Sequence, residues 1–201
     1  MRYPALVEEA DLPLRERKRR RTRALLIETG RQLFEERGYD ETTVADIAAA
    51  AEIGSRTFFA YFETKEQLLF PDTDPRVTAT LAAIRERSPS DTPAQVLLSS
   101  LDSAAIDEES KSPVAHLRQR LMRDVAAIQA RAMRLQFDAQ RQITDALTAA
   151  YPKLEPVEAA ALVGAFIGAV AAAFQSLGGE GDPVDQKRQV RKAVAKILNS
   201  A

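Results

Sequence analysis

Cysteine is absent from the 201 residues, and histidine occurs once, at position 116. Without cysteine there is no disulfide framework, no thiolate zinc site and no cysteine nucleophile, and the composition suits a reducing cytosol. A lone His116 excludes any site that needs two imidazoles. No cofactor or metal is expected. Strand signals are missing too: there is no Asn-Gly or Asp-Gly pair and no sustained apolar–polar alternation. G-x-S-x-G, P-loop and H-E-x-x-H patterns do not occur, so nothing points to an enzyme. Neither sign of charge dominates, since 28 Lys and Arg oppose 29 Asp and Glu. A nucleic-acid partner would have to be met by a local cluster and not by the chain as a whole.

What is present is helical. Apolar residues recur at spacings of three and four between prolines that punctuate the chain. Helices are predicted over 15–37, 43–50, 54–61, 64–70, 75–87, 93–108, one or two within 113–151, then 156–177 and 183–199. Eight of the 12 aromatics lie in residues 1–70, and Pro71-Asp-Thr-Asp-Pro75 is a natural boundary. The predicted organisation is an N-terminal extension, 1–14, a first helical domain, 15–70, and a second, 71–201. The acidic N-terminus does not read as a signal peptide. The uncharged run Ala159–Leu177 reaches membrane length, but it is rich in Ala and Gly and lacks flanking cations, so a packed helix is expected and no membrane partner.

Residues 15–23, RERKRRRTR, carry seven cations and one acid. They stand at a helix N-terminus, where the dipole opposes them, so an anionic partner such as DNA phosphate explains them better than helix stability does. Gly30 in mid-helix implies a close approach of another element, and Gly38 suits a left-handed helix end. Thr43 with Asp46 three residues later forms an acidic capping box for a short helix. A second short helix then carries Ser55, Arg56, Thr57, Phe58, Phe59, Ala60, Tyr61 and Phe62, with Phe58 and Phe62 inward and Phe59 and Tyr61 partly exposed. Two short helices after a basic one have the shape of a helix-turn-helix.

The pattern Leu26-Ile27-x2-Gly30-x2-Leu33-Phe34-x3-Gly38-Tyr39-x2-Thr42-Thr43-Val44-x2-Ile47-Ala48, followed by Thr57-Phe58-Phe59-x-Tyr61-Phe62-x2-Lys65-Glu66-x-Leu68-Leu69, strongly resembles the TetR family of bacterial transcriptional regulators. The resemblance covers about residues 20–70. It implies an all-α chain with an N-terminal helix-turn-helix domain and a helical ligand-binding and dimerisation domain. It also implies that Thr43, Tyr61 and Lys65 hold phosphates, and that Ser55, Arg56, Thr57 and Ala60 face the major groove of double-stranded DNA. Arg19, Arg20 and Arg21 would then reach the backbone or the adjacent minor groove. Arg56 has bidentate guanine chemistry. Three positions depart from the family: Glu52 replaces a turn glycine; Phe59, counted with the DNA-binding residues, replaces a tyrosine and loses its hydroxyl; and Ala60 stands at an arginine-like position, where it can make only an apolar contact, for example with a thymine methyl. A glutamate at positive φ is strained, so a rebuilt turn is expected there.

In the second domain, Leu97, Leu101, Leu117, Leu121, Met122, Val125, Met133 and Phe137 are candidates to line a pocket for a small-molecule effector. Arg118, Arg120, Arg123 and Arg134 beside them favour an acyl or aromatic molecule with an anionic end. His116 is expected at the surface or as a cap, and the Gly178–Asp182 segment as an interhelical loop. Ala161, Gly164, Gly168 and Ala172 form a stripe of small residues that suits close helix packing in a homodimer, with Val190, Val194 and Ile197 on the next helix. The function expected is a ligand-released, dimeric repressor on a palindromic operator, cytoplasmic and nucleoid-associated when bound. An all-α binding or interaction protein that no longer binds DNA is the alternative, and Glu52 is the feature that favours it.

Overall fold

A computed structural model describes residues 13–103, 111–177 and 182–198. The helix expected at 93–108 stops at Ser100, where a turn begins; residues 104–108, most of the 1–14 extension and the 178–181 loop lie outside the described residues. Among the described residues all regular structure is helical. In order it comprises α1 (Leu14–Arg37), α2 (Val44–Ala50), α3 (Ser55–Phe59), a 3-10 helix (Lys65–Leu69), α4 (Pro75–Glu86), α5 (Pro93–Ser100), α6 (Pro113–Leu121), α7 (Ala126–Ala150), α8 (Pro156–Ser176) and α9 (Pro183–Leu198). The chain divides into two compact units, residues 1–71 with 117–124, and 72–116 with 125–201.

The first unit is organised by α1. Its buried residues Leu26, Thr29, Gly30, Leu33 and Phe34 recur at helical spacing along one face. Gly30 is a packing slot, because a Cβ there would lie 2.5 Å from Leu68 Cδ1, and Leu68 is itself buried. α1 ends at Gly38 with φ +90° as expected, but ψ is 156°, extended and not left-handed helical. The buried Thr42 hydroxyl lies 2.7 Å from the Gly38 carbonyl and 3.2 Å from that of Leu33, near the end of α1. α2 opens with the expected capping box: Thr43 Oγ1 accepts from Asp46 N at 3.1 Å, and Asp46 Oδ2 accepts from Thr43 N at 2.9 Å. α3 is too short to persist alone. Phe58 and Phe62, both buried and 5.7 Å apart between ring centroids, anchor it to the core.

The turn between α2 and α3 is not rebuilt. Glu52 takes φ +56°, the position where glycine is usual. Around it the helix closes in a Schellman motif, with Ile53 N donating to the Ala48 carbonyl at 2.9 Å and Glu52 N to that of Ala49 at 3.0 Å. The turn geometry therefore survives at the expense of left-handed strain on a side-chain-bearing residue. Glu52→Gly should relieve it and stabilise the protein by about 1 kcal/mol, raising the midpoint of thermal unfolding by a few degrees. An unchanged or lower midpoint would show that Glu52 makes a compensating interaction.

The second unit is a helical bundle around Ile84, Val96, Leu97, Ile143, Leu147, Val163, Phe166, Val190 and Val194. Its starts are punctuated as prolines dictate: Asp74 caps α4 ahead of Pro75, and Thr92 forms a capping box with Gln95 ahead of Pro93. Arg87 ties two helix ends together, donating to the Ala150 carbonyl at 2.6 Å and lying over the Tyr151 ring at 5.0 Å. Helix α8 is long and apolar enough over Pro156–Phe174 to cross a membrane. Its Ala159, Val163 and Phe166 are buried in the bundle core, whereas 22% of the most apolar stretch is buried in all.

The structure revises the expected interface set. Val190 and Val194 are buried within their own unit, so they have no surface to offer a second chain. Gly164 faces inward as well, since a Cβ there would lie 3.2 Å from Gln140 Nε2 of α7. Ala161, Gly168 and Ala172 are exposed, as is Ala165 between them, and nothing lies within 4 Å of a Cβ placed on Gly168. Ile197 is exposed too.

Candidate nucleic-acid interface

The recognition segment is built outward from its two anchors. With Phe58 and Phe62 pointing inward, helical geometry turns Arg56, Thr57 and Ala60 away from the core. All three are exposed, as is Ser55. Phe59 and Tyr61 flank this face. Phe59 is 55% exposed, its ring set edge-on to Phe58 at 5.6 Å between centroids, and Tyr61 is half-buried.

The N-terminal end of α1 lies beside this helix. An open groove of about 750 Å³ is lined by Leu14, Arg15, Lys18 and Arg19 of α1 and by Arg56, Thr57, Ala60 and Tyr61. Positions 14, 15, 18 and 19 share one helical face, so the spacing of the basic block delivers three cations to the groove and Arg56 supplies a fourth. Four cations beside hydroxyl donors make a local positive potential matched to a polyphosphate backbone. Arg19, expected from the sequence to reach DNA, lines this groove; Arg15 and Lys18 belong to the same surface and were legible only as members of the block. Arg20 is engaged with Glu16 at 3.4 Å on the exposed side. Arg21 is exposed but does not line the groove. Arg23 lies 4.8 Å above the Phe62 ring and packs the end of the segment.

Two side chains expected on phosphates are engaged inside the unit. The Lys65 ammonium donates to the carbonyls of Tyr39 at 2.6 Å and Thr42 at 2.9 Å, and sits 4.1 Å above the Tyr39 ring. It therefore holds the loop that leads into α2. The Thr43 hydroxyl donates to Asp46 Oδ2 at 2.5 Å, and with the Thr43 backbone N–H it keeps the Asp46 carboxyl below its ordinary pKa. Both residues fix the frame that presents the recognition helix.

A further part of this unit comes from far along the sequence. Arg118 donates to the Leu69 carbonyl at 2.8 Å and lies 5.5 Å from the centre of the Phe70 ring; Arg120 reaches Glu35 at 3.2 Å. The arginines beside the expected pocket thus include two that brace the first unit. The eight pocket candidates are likewise divided. Leu97 and Leu101 are buried in the bundle core of the second unit, whereas Leu117, Leu121 and Met122 belong to the first. Val125 is half-buried, and Met133 and Phe137 stand on the exposed face of α7, 61% and 66% exposed. Exposure of that size is incompatible with lining an interior cavity of this unit. His116 is exposed, as expected.

Residues 26–70 match the model of the bacterial regulatory proteins of the tetR family. Over those residues, which hold α2, α3 and the second half of α1, the chain is similar to the tetR-family regulators. Among curated proteins it is similar to the HTH-type transcriptional regulator TcmR of Streptomyces glaucescens, 42% identical over 84 residues, which is 42% of this chain and 37% of that protein. It is also similar to the HTH-type transcriptional repressor DhaR of a Mycobacterium strain, 41% identical over 63 residues, 28% of this chain and 32% of that one. The matches span about a third of the length of these relatives, which are regulators and not enzymes. Over the whole fold, the chain resembles a transcriptional regulator from Aquifex aeolicus at 19% identity, with 88% of this chain and 99% of that one covered and a TM-score of 0.52. It likewise resembles the TetR-family repressor FadR of Thermus thermophilus, solved with lauroyl-CoA, at 20% identity, 88% and 93% coverage and a TM-score of 0.51. These two show the fold: an all-helical C-terminal part follows residues 26–70.

Proposed function

We propose that this protein is a transcriptional repressor that binds a palindromic operator as a homodimer and is released from it by a small-molecule effector. The observation that carries the reading is the groove in which Arg15, Lys18 and Arg19 of α1 flank the outward face of α3. Backbone-positioning cations and base-reading side chains stand on one continuous surface, as recognition of duplex DNA requires. The intact turn at Glu52 weighs against a domain that has lost DNA binding. One such unit offers too few base contacts for specific affinity, so two are needed on a two-fold axis, and the exposed small-residue face of α8 suits their pairing. The effector would bind the C-terminal unit. An acyl or aromatic molecule with an anionic end remains the proposed chemistry, and the lauroyl-CoA held by the Thermus protein is of that kind. The site of action is the bacterial cytoplasm, at the nucleoid when bound.

Binding of the full chain to the DNA upstream of its own gene, measured across salt and with and without candidate effectors, tests this. The expected result is specific retardation of the duplex with a steep salt dependence, and weaker binding with an effector present. Because coupling is reciprocal, the operator must weaken the effector by the same factor. Binding indifferent to DNA sequence would overturn the operator reading, and equal effector affinity with and without operator would overturn release.

A further inference from the structure

The outward face of α3 carries an apolar component that phosphate chemistry does not use. Phe59 is 55% exposed and Ala60 is exposed, whereas the other anchoring aromatics, Phe58 and Phe62, are buried. The phenyl ring has no donor, so it cannot hold a phosphate, and its edge-on packing against Phe58 holds it out at the flank of the helix. In the major groove the polar edges of the bases are read by hydrogen bonds; the one apolar feature on offer is a methyl group at pyrimidine C5. Arg56 stands three residues before Phe59 and four before Ala60. At a rise of about 1.5 Å per residue the separation is about 4.5–6 Å, or roughly one to two base-pair steps of 3.4 Å.

We infer that Phe59 and Ala60 determine specificity by reading a pyrimidine C5-methyl group, one or two base pairs from a guanine read by Arg56. The inference rests on the DNA-binding reading proposed above and deepens it. Two bases supply this methyl, thymine and 5-methylcytosine, and they share the chemistry. Arg56 fixes the guanine by a bidentate pair to O6 and N7. The ring and the Ala60 methyl exclude water from the neighbouring pyrimidine edge. Cytosine without its methyl leaves that apolar surface facing a polar N4 donor.

The test begins with selection of a bound duplex from a random pool by the full-length protein. Each thymine of the selected half-site is then replaced by uracil, which removes the methyl and leaves the pairing edge intact. Loss of one buried methyl per half-site should weaken binding about fourfold, and about 15-fold when both half-sites are changed. The penalty should fall at a thymine within two base pairs of the guanine whose identity ceases to matter in Arg56→Ala. Placing 5-methylcytosine at that position should bind more tightly than cytosine, which identifies the methyl and not the base as the determinant. In Phe59→Ala the uracil penalty should shrink to near unity, while Phe59→Leu, which keeps an apolar group, should retain part of it. Thermal melting of both variants checks that the unit is folded, which an exposed position permits. A uniform absence of uracil penalties, or an undiminished penalty in both Phe59→Ala and Ala60→Gly, overturns the inference while the DNA-binding reading stands. Failure to select any sequence overturns that reading together with the inference.

Discussion

Replacing Arg15, Lys18 and Arg19 together by glutamine should weaken binding to every duplex, specific or not, and flatten its salt dependence. Each phosphate contact contributes about 0.9 to the slope of log K against log salt, so three lost contacts remove up to about 2.7 per protomer. At 0.1 M salt that is on the order of 10²–10³ in affinity for each protomer. The fold should not suffer. The three side chains are exposed and cluster at the N-terminal end of α1, where the helix dipole disfavours positive charge, so neutralising them leaves stability unchanged or slightly higher. That separation of effects is the diagnostic: affinity falls steeply while the thermal midpoint does not. Sequence preference should survive in relative terms, because the groove cations position and do not read. Glutamine at Arg20, which pairs with Glu16 and lies off the groove, should lower the slope less than glutamine at Arg19. A triple variant with the slope of the native protein would place the DNA elsewhere on the domain.

The contrast between Arg19 and Arg20 shows how far the residues alone can be read. Helical periodicity, proline punctuation and the capping box at Thr43 and Asp46 are local signals, and the helices follow them closely. The two buried aromatics of the recognition segment were legible because their spacing of four marks one helix face. What the basic block did not reveal is which cations share the face of Arg56, since that depends on how α1 crosses α3. Lys65 and Thr43 have chemistry that suits a phosphate, but the residues alone did not reveal that carbonyls of the 39–42 loop and the Asp46 carboxylate are their partners within the chain. Arg118 closes on the Leu69 carbonyl from 49 positions away, a pairing that no local pattern encodes. The same limit applies to the pocket candidates. Apolar residues such as Leu97 and Met133 look alike in sequence, yet one is in the core and the other 61% exposed.

Gly168→Leu should separate the subunits of the proposed dimer while leaving each protomer as stable as before. The stripe Ala161, Ala165, Gly168 and Ala172 runs along α8 at helical spacing, and every member is exposed in the single chain. Nothing lies within 4 Å of a Cβ on Gly168, and the position is exposed, so a side chain there starts into open space within its own protomer. Within the helix it even gains, because glycine is disfavoured by about 0.8–1 kcal/mol relative to good helix formers. If two α8 helices cross on this stripe, however, the side chain enters a contact that has room for hydrogen only. Overpacking typically costs 1–3 kcal/mol per site, and a two-fold axis applies the change twice, for about 2–6 kcal/mol in dimer stability. Specific DNA binding should fall with dimerisation, although residue 168 belongs to the second unit and carries no base-reading chemistry. Gly164→Ala is the companion measurement. Its new methyl meets the Gln140 amide at 3.2 Å inside the same chain, so it should perturb the packing of α7 and leave the association unaltered. Sedimentation of the two variants beside the native protein therefore separates an interchain stripe from an intrachain one. A Gly168→Leu protein that sediments as a dimer of native affinity would remove this face of α8 from the interface and leave the exposed side of α9 around Ile197 as the surface to examine.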